Sequence, residues 1–322
     1  MLKVLYLPLN DQGSVQQATY DAWNNAGVKL EIYDFNKVWS ASRNKAAVND
    51  GFLKAVRAFQ PKLIHMQLQF SGMLSVEVLN EARRLSPGVV ITNWTGDCRA
   101  YADSGFCKIS HGCDYSLISS TGQLDMYKNG GCKNVHYWQI GYDPKLYFPK
   151  NYTSFKYDIS FTANHYGNFP ASSLRGQAAH TLYNKYKERF GLFGRGYNIP
   201  NARFIAMPQT NEVYNSSTTV LSISHFNDVS HYFSDRLLMC LASGRPVISW
   251  NFPNYDSYFV DGQDLFIANS IDDIVSIVQY CKNNPDKAKE VGKNGHRKVL
   301  IEHTYTSKIL ELINMVNLSH LL

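Results

Sequence analysis

One stretch constrains the fold more than any other: Ser234 to Gly262, SDRLLMCLASGRPVISWNFPNYDSYFVDG. Ser234 suits an N-cap, and Asp235 follows it where the positive end of a helix would lie. The apolar run from Leu237 to Ala242 gives that helix a buried face. Gly244 suits the left-handed residue that closes a helix, and Pro246 cannot continue one. Val247, Ile248 and Trp250 then read as a short strand of the fully buried, parallel-sheet kind. A loop at 251–254 leads to Asp256 and Tyr258-Phe259. Helix, tight stop, buried strand and polar loop together make an αβ unit. In open α/β sheets, ligands bind beyond the strand ends and at the helix starts.

The same alternation opens the chain. Residues 3–9 read as a buried strand, 15–26 as a helix and 29–35 as a second strand. That is a βαβ unit, which implies a parallel sheet. The intervening loop, NDQGS, lacks G-x-G-x-x-G, so nothing there points to a dinucleotide cofactor. Further helices are predicted at 46–59, 75–84 and 121–129, and further strands at 62–70, 89–94, 113–120 and from 134. His65, alone within a strand, reads as a core residue. Proline punctuates a connector, and a linker is placed near 143–156. A second series follows, with strands at 157, 189–197 and 218–224 and helices at 172–189, 210–216 and 234–243. Two amphipathic helices separated by Pro285 fill 272–300, and a last amphipathic helix spans 306–318. A length of 322 residues suits two such domains.

The central stretch also carries a family resemblance. S-x-R-L-x-x-x-L-A-S-G-x-P-V, followed by an acidic residue and F-x-D-G-x-D, resembles the C-terminal half of GT-B glycosyltransferases, closest to the spore-maturation CgeB-like branch. The segment 272–305, ending in His-Thr-Tyr, resembles the closing helices of that branch. VVITNWTGD (89–97) and YKNGGCKNVHYWQIGYDPKLYFP (127–149) match more loosely. The resemblance implies an α/β GT-B fold with two Rossmann-like parallel-sheet domains facing a cleft. The acceptor-side domain would be 1–145, the nucleotide-sugar domain 157–305, and the helix at 306–322 would cross back to the first domain.

The same resemblance implies a hexosyl- or pentosyltransferase that moves a sugar from a nucleotide-sugar donor to a hydroxyl acceptor. The donor is a substrate, and no cofactor is expected. No D-x-D motif is evident, so phosphate neutralisation without metal is expected, by Arg236 and helix ends. On the donor side the candidates are Asn164, His165 and Gly167 after one strand and Arg195 in Gly-Arg-Gly after the next. His231, Tyr232, Ser234 and Arg236 enter the central helix, and Tyr255 and Asp256 lie beyond its strand. Asp256 lines up with a ribose-binding carboxylate of the superfamily, or else caps a helix. One member of the acidic pair of many retaining relatives falls at Met239, which puts a retaining mechanism by analogy in doubt.

For acceptor chemistry, Asp97 follows a strand in Thr-Gly-Asp. It is a candidate general base for an inverting transfer, or else a helix N-cap. Asp11 lies in the first loop, where it is either near substrate or part of a solvated turn.

Composition narrows the partners. The formal charge of +6 suits an anionic ligand and equally a nucleic-acid or membrane surface, but no Lys/Arg tract marks a nucleic-acid tail. Two acceptor classes therefore stay open: a glycan or lipid-linked glycan, and DNA carrying hydroxymethylated pyrimidines, as glycosylated by phage enzymes. A third alternative is a non-catalytic nucleotide-binding module. The apolar run from Val4 to Leu9 is too short for a signal peptide, and no stretch approaches a membrane span, so a cytoplasmic protein with no integral membrane segment is expected. The six cysteines would then be reduced. Four of them, Cys98, Cys107, Cys113 and Cys132, cluster near His111 without a C-x-x-C pair, which leaves zinc ligation open beside free structural thiols.

Overall fold

The computed structural model describes residues 1–9, 14–69 and 72–322. The chain forms two compact units, Met1–Ile140 with Tyr305–Leu322, and Gly141–Thr304.

The first unit runs β1 (Lys3–Leu7), α1 (Ser14–Asn25), β2 (Lys29–Ile32), α2 (Phe35–Ser42), α3 (Lys45–Phe59), β3 (Leu63–Met66), α4 (Val76–Leu85), β4 (Val90–Thr95), α5 (Ser104–Ser110), β5 (Tyr115–Ile118), α6 (Leu124–Asn129) and β6 (Val135–Tyr137). Its strands lie in the order 2-1-3-4-5-6, and every pairing is parallel. Apolar clusters cover both faces. Leu5, Ile64 and Ile91 pack against Phe52 of α3 and Leu79 of α4 on one side, while Val4, Leu63 and Leu117 pack with Trp23 of α1 on the other. That double burial is why these strands read as unbroken apolar runs. His65 is buried between Tyr6, Trp23 and Trp138, with Nδ1 2.8 Å from Thr92 Oγ1, and is a core residue.

Two helices lie where the sequence reading placed loop or strand. The Asp34 carboxylate accepts from the Lys37 N–H, so β2 stops at Ile32 and α2 begins. Asp103 accepts from the Phe106 N–H and starts α5. The N-cap beyond β4 is therefore Asp103 and not Asp97.

The second unit runs β7 (Tyr157–Thr162), α7 (Ser172–Tyr186), β8 (Phe190–Phe193), α8 (Thr210–Asn215), β9 (Ser217–Ser222), α9 (Asp235–Ala242), β10 (Val247–Trp250), β11 (Phe266–Ala268), α10 (Ile271–Asn283) and α11 (Pro285–Glu302). Its order is 11-10-9-7-8, again all parallel. The chain winds outward from β7 to β8, then reverses and winds from β9 to β11. The switch point lies between β7 and β9, and a crevice at their C-terminal ends is where such sheets take ligands.

The central stretch folds as its sequence dictates. Gly244, at φ +70°, closes α9 after its C-cap, Ser243. Ser234 occupies the N-cap position, but its side chain makes no capping bond to α9, and Ser224 Oγ donates to its Oγ at 3.4 Å instead. Pro285 opens α11, where its missing N–H costs nothing. The short β11 was not foreseen; Asp261 Oδ1, accepting from the Ile267 N–H, holds it in place.

The last helix, α12 (Tyr305–Met315), belongs to the first unit. Ile309, Leu312 and Ile313 join the cluster around Trp23, and Trp138 Nε1 donates to the Lys308 carbonyl at 3.0 Å. Among the described residues, no helix is long and apolar enough to cross a membrane.

Candidate functional site

At the C-terminal edge of the second sheet, two helices start and two strands end around a group of cations. Arg175, on the first turn of α7, is fully buried. Its guanidinium carbon sits 5.6 Å from the centroid of the Phe161 ring on β7. None of its three guanidinium nitrogens makes a hydrogen bond among the described residues. Burial chiefly, and next the charge of Arg236, lower its pKa to about 10. The Tyr197 hydroxyl is close enough to favour the charged form but lies outside hydrogen-bond geometry.

His225, beyond β9, stacks on Phe169 at 4.4 Å and keeps a buried, unpartnered Nδ1. Burial first, and then Arg175, Arg236 and His165, push its pKa down to about 3, so it is neutral near pH 7. Neither Arg175 nor Arg236 forms an ion pair among the described residues. A buried cation without a counter-charge is costly to the free protein. The N-terminus of α9 adds the positive end of its dipole, although the Arg236 N–H donates to Asp235 Oδ1 and the Leu237 N–H to the Ser234 carbonyl. The arrangement is complementary to a multiply charged anion.

A pocket of about 280 Å³ adjoins these cations, and Arg236 lines it. Phe193, Phe204 and Met207 give it apolar surface, while Thr162, Asn164 and Asp235 give it polar surface. Asp235 is its one lining carboxylate among the described residues. The mixture suits a group with an aromatic face and hydroxyls.

The Gly-Arg-Gly at 194–196 works here through shape. A Cβ on Gly194 would fall 2.0 Å from the Ala163 carbonyl oxygen, and one on Gly196 2.1 Å from that of His165. The two glycines let the loop after β8 lie against the loop after β7. The Gly194 N–H donates to the Arg203 carbonyl and the Arg195 N–H to Asn164 Oδ1. The exposed Arg195 side chain stacks on Phe204 at 4.3 Å, outside the pocket lining.

The other candidates scatter around this centre. Asn164 and Arg236 line the pocket. His165 lies beside it, packed on Tyr197 at 5.2 Å, with Nε2 3.0 Å from the Ser172 carbonyl. Ser234 precedes α9. Gly167 is exposed, with open space around it. His231, at φ +57°, donates its N–H to the Pro253 carbonyl and sets its ring edge-on to Tyr258. Tyr232 is buried beside Phe226. Tyr255 and Asp256 form one 3-10 turn whose N-cap position is taken by Asn254, so Asp256 is no helix cap; it is exposed. Neither Tyr255 nor Asp256 lines the pocket.

In the first unit, Asp97 is exposed, with Oδ2 3.6 Å from Arg99 Nη2. Asp11 lies outside the described residues. All six cysteines are buried free thiols, and among the described residues no cluster of metal-ligating side chains occurs. Sequence reasoning gave Arg175, Phe204 and Met207 no site role and Asp235 only a helix-end one. Nothing in the local pattern separates Arg175 from an ordinary helix-surface arginine.

The two units have the fold of GT-B glycosyltransferases: parallel Rossmann-like sheets with helices around them. Residues 175–314 match a family model described as glycosyl transferase-like. HepE of Anabaena, in a crystal structure with UDP and glucose, superposes with a TM-score of 0.62 at 10% identity, covering 98% of this chain and 100% of that one. A glycosyltransferase from Rickettsia africae gives 0.61 at 12% identity, with coverage of 98% and 97%. Sucrose-phosphate synthase from Thermosynechococcus elongatus gives 0.57 at 11% identity, with coverage of 98% of both chains. No curated protein matches the sequence.

Proposed function

We propose that the chain is a glycosyltransferase whose second unit binds the nucleoside diphosphate part of a nucleotide sugar. One observation carries this reading: Arg175 is a fully buried guanidinium with no hydrogen-bond partner among the described residues, coupled to Arg236 beside a nucleoside-sized pocket. A diphosphate supplies the missing counter-charge, and the two arginines stabilise the charge that grows on the leaving group. This neutralisation proceeds without metal. The pocket takes base and ribose between Phe204, Met207 and Asp235. HepE binds UDP, so UDP is the first nucleotide to try.

Asp97, solvent-accessible beyond β4, is the proposed general base toward the acceptor hydroxyl. The CgeB-like branch is the proposed subfamily, on the motifs quoted above.

The test is a thermal-shift panel of UDP, GDP, ADP, CMP and their sugars on the wild-type chain and on Arg236→Ala. Stabilisation by one nucleotide, lost in the variant, is the expected result. Flat curves across the panel would remove the donor reading. Activity abolished by a chelator and restored by a divalent metal would overturn metal independence. A steep salt dependence of duplex binding would favour a DNA acceptor, and absence of binding at low salt would leave the glycan class.

A further inference from the structure

The edge of the second sheet opposite the candidate donor site holds a second concentration of positive charge. A groove of about 360 Å³ lies beside the turn that leads into β10. Lys150, Arg245, Lys289, Lys293, His296 and Arg297 line it, and among the described residues no carboxylate does. Lys289, Lys293 and Arg297 recur every fourth residue on α11, so like charges face one another along one side of the helix. Such spacing costs an isolated helix stability. Among the described residues, Lys150 alone of the six forms an ion pair, with Glu212. Asp286 and Glu290 also lie on α11 but do not line the groove.

The groove is built rather than draped. Gly292 of α11 packs so closely on the turn that a Cβ there would fall 2.4 Å from the Gly244 carbonyl oxygen. Arg245 Nε donates to the Ser217 carbonyl at 3.0 Å, and its guanidinium carbon stacks 4.0 Å from the centroid of the Phe155 ring. These two contacts fix the plane of the fork, and Arg245 lines the groove. Burial lowers its pKa to about 10. His296 Nδ1 is buried and has no hydrogen-bond partner among the described residues.

A fixed guanidinium and a row of cationic side chains around a small concavity match a compact phosphate ligand. We propose that this groove is a second anion site, which binds a phosphate monoester or diphosphate. A free phosphorylated metabolite and a lipid headgroup phosphate share that chemistry. The site is separate from the donor pocket and does not rest on the donor reading.

The experiment is calorimetric titration of inorganic pyrophosphate into the full chain carrying Arg236→Ala, at low salt. Lys293→Glu/Arg297→Glu is then added to that background. Both side chains are exposed, so the fold is expected to survive, and far-ultraviolet circular dichroism checks it. The expected result is saturable binding that the double reversal weakens by at least about tenfold. Lys293→Gln/Arg297→Gln should give a smaller loss. Nucleotide-induced stabilisation in an otherwise wild-type chain should be unaffected by either pair. Co-sedimentation with phosphatidic acid vesicles, lost in the double reversal, would identify a headgroup as the source; pyrophosphate binding without vesicle binding would identify a soluble ligand. Pyrophosphate affinity unchanged by the reversal overturns the proposal, and so does failure to bind either probe.

Discussion

Replacing Arg175 with Met should stabilise the free protein and weaken its response to nucleotide. Met keeps most of the side-chain volume and removes the charge. The depression of the Arg175 pKa from 12.5 to about 10 corresponds to roughly 3 kcal/mol against the charged form. Loss of the contact with Phe161 offsets about 1 kcal/mol of the gain. The net gain, roughly 2 kcal/mol, should raise the unfolding midpoint of the second unit by about 4 °C or more. In the bound state, the short-range attraction between the Arg175 charge and the diphosphate, worth about 3 kcal/mol in a partly buried site, disappears, so affinity should fall roughly a hundredfold. The assay is differential scanning fluorimetry with and without saturating nucleotide diphosphate, followed by calorimetry. A variant that melts several degrees lower and binds nucleotide like the wild type would refute the reasoning, because Arg175 would then be a core residue and no part of a ligand site.

Gly196→Ala should cost about 1–3 kcal/mol and weaken nucleotide binding, because its Cβ meets the His165 carbonyl and φ is +87°; urea midpoints equal to wild type would contradict this. Asp158 lies between Arg189 at 2.6 Å and Lys282 at 2.8 Å with its side chain 8% exposed. Asp158→Asn should lose about 2 kcal/mol, less than a fully buried pair because both cations are half exposed, and urea denaturation reads the loss. Burial holds the His65 pKa near 3 and that of His225 near 3, below the unfolded value. The unfolded chain therefore binds more protons in acid, and stability should fall as pH drops from about 6.5 toward 3, by up to about 1.4 kcal/mol per pH unit for each histidine. Equal urea midpoints at pH 6.5 and 4.5 would rule this out.

The alternation of elements was legible because burial leaves a periodic trace. β1, β3 and β10 are buried on both faces and read as apolar runs, and α9 shows its stop in Gly244 and Pro246. α2 and α5 were not legible, because each is short and begins at an aspartate whose capping role depends on φ/ψ rather than on residue type. β11 has three residues, too few for a pattern.

The site divides in the same way. Arg236 could be found because it stands at the start of a helix that the sequence marks clearly. Arg175 could not, because a charge in a helical sequence reads as a solvent-facing residue, and only the packing of α7 over Phe161 buries it. Tyr255 and Asp256 were selected by the same logic, and neither is among the residues that line the pocket. Their position after a buried strand was correctly read, but the chain beyond β10 turns at Asn254, in the left-handed region, and carries both residues away from the pocket lining. Position along the chain specifies the edge of the sheet on which a residue emerges. Which residues converge there depends on tertiary packing, such as that of α7 over Phe161 and the close approaches at Gly194 and Gly196. A candidate site built on an unpaired buried cation is thus visible only once burial and hydrogen bonding are known together, because neither the charge nor the helix alone distinguishes it from surface.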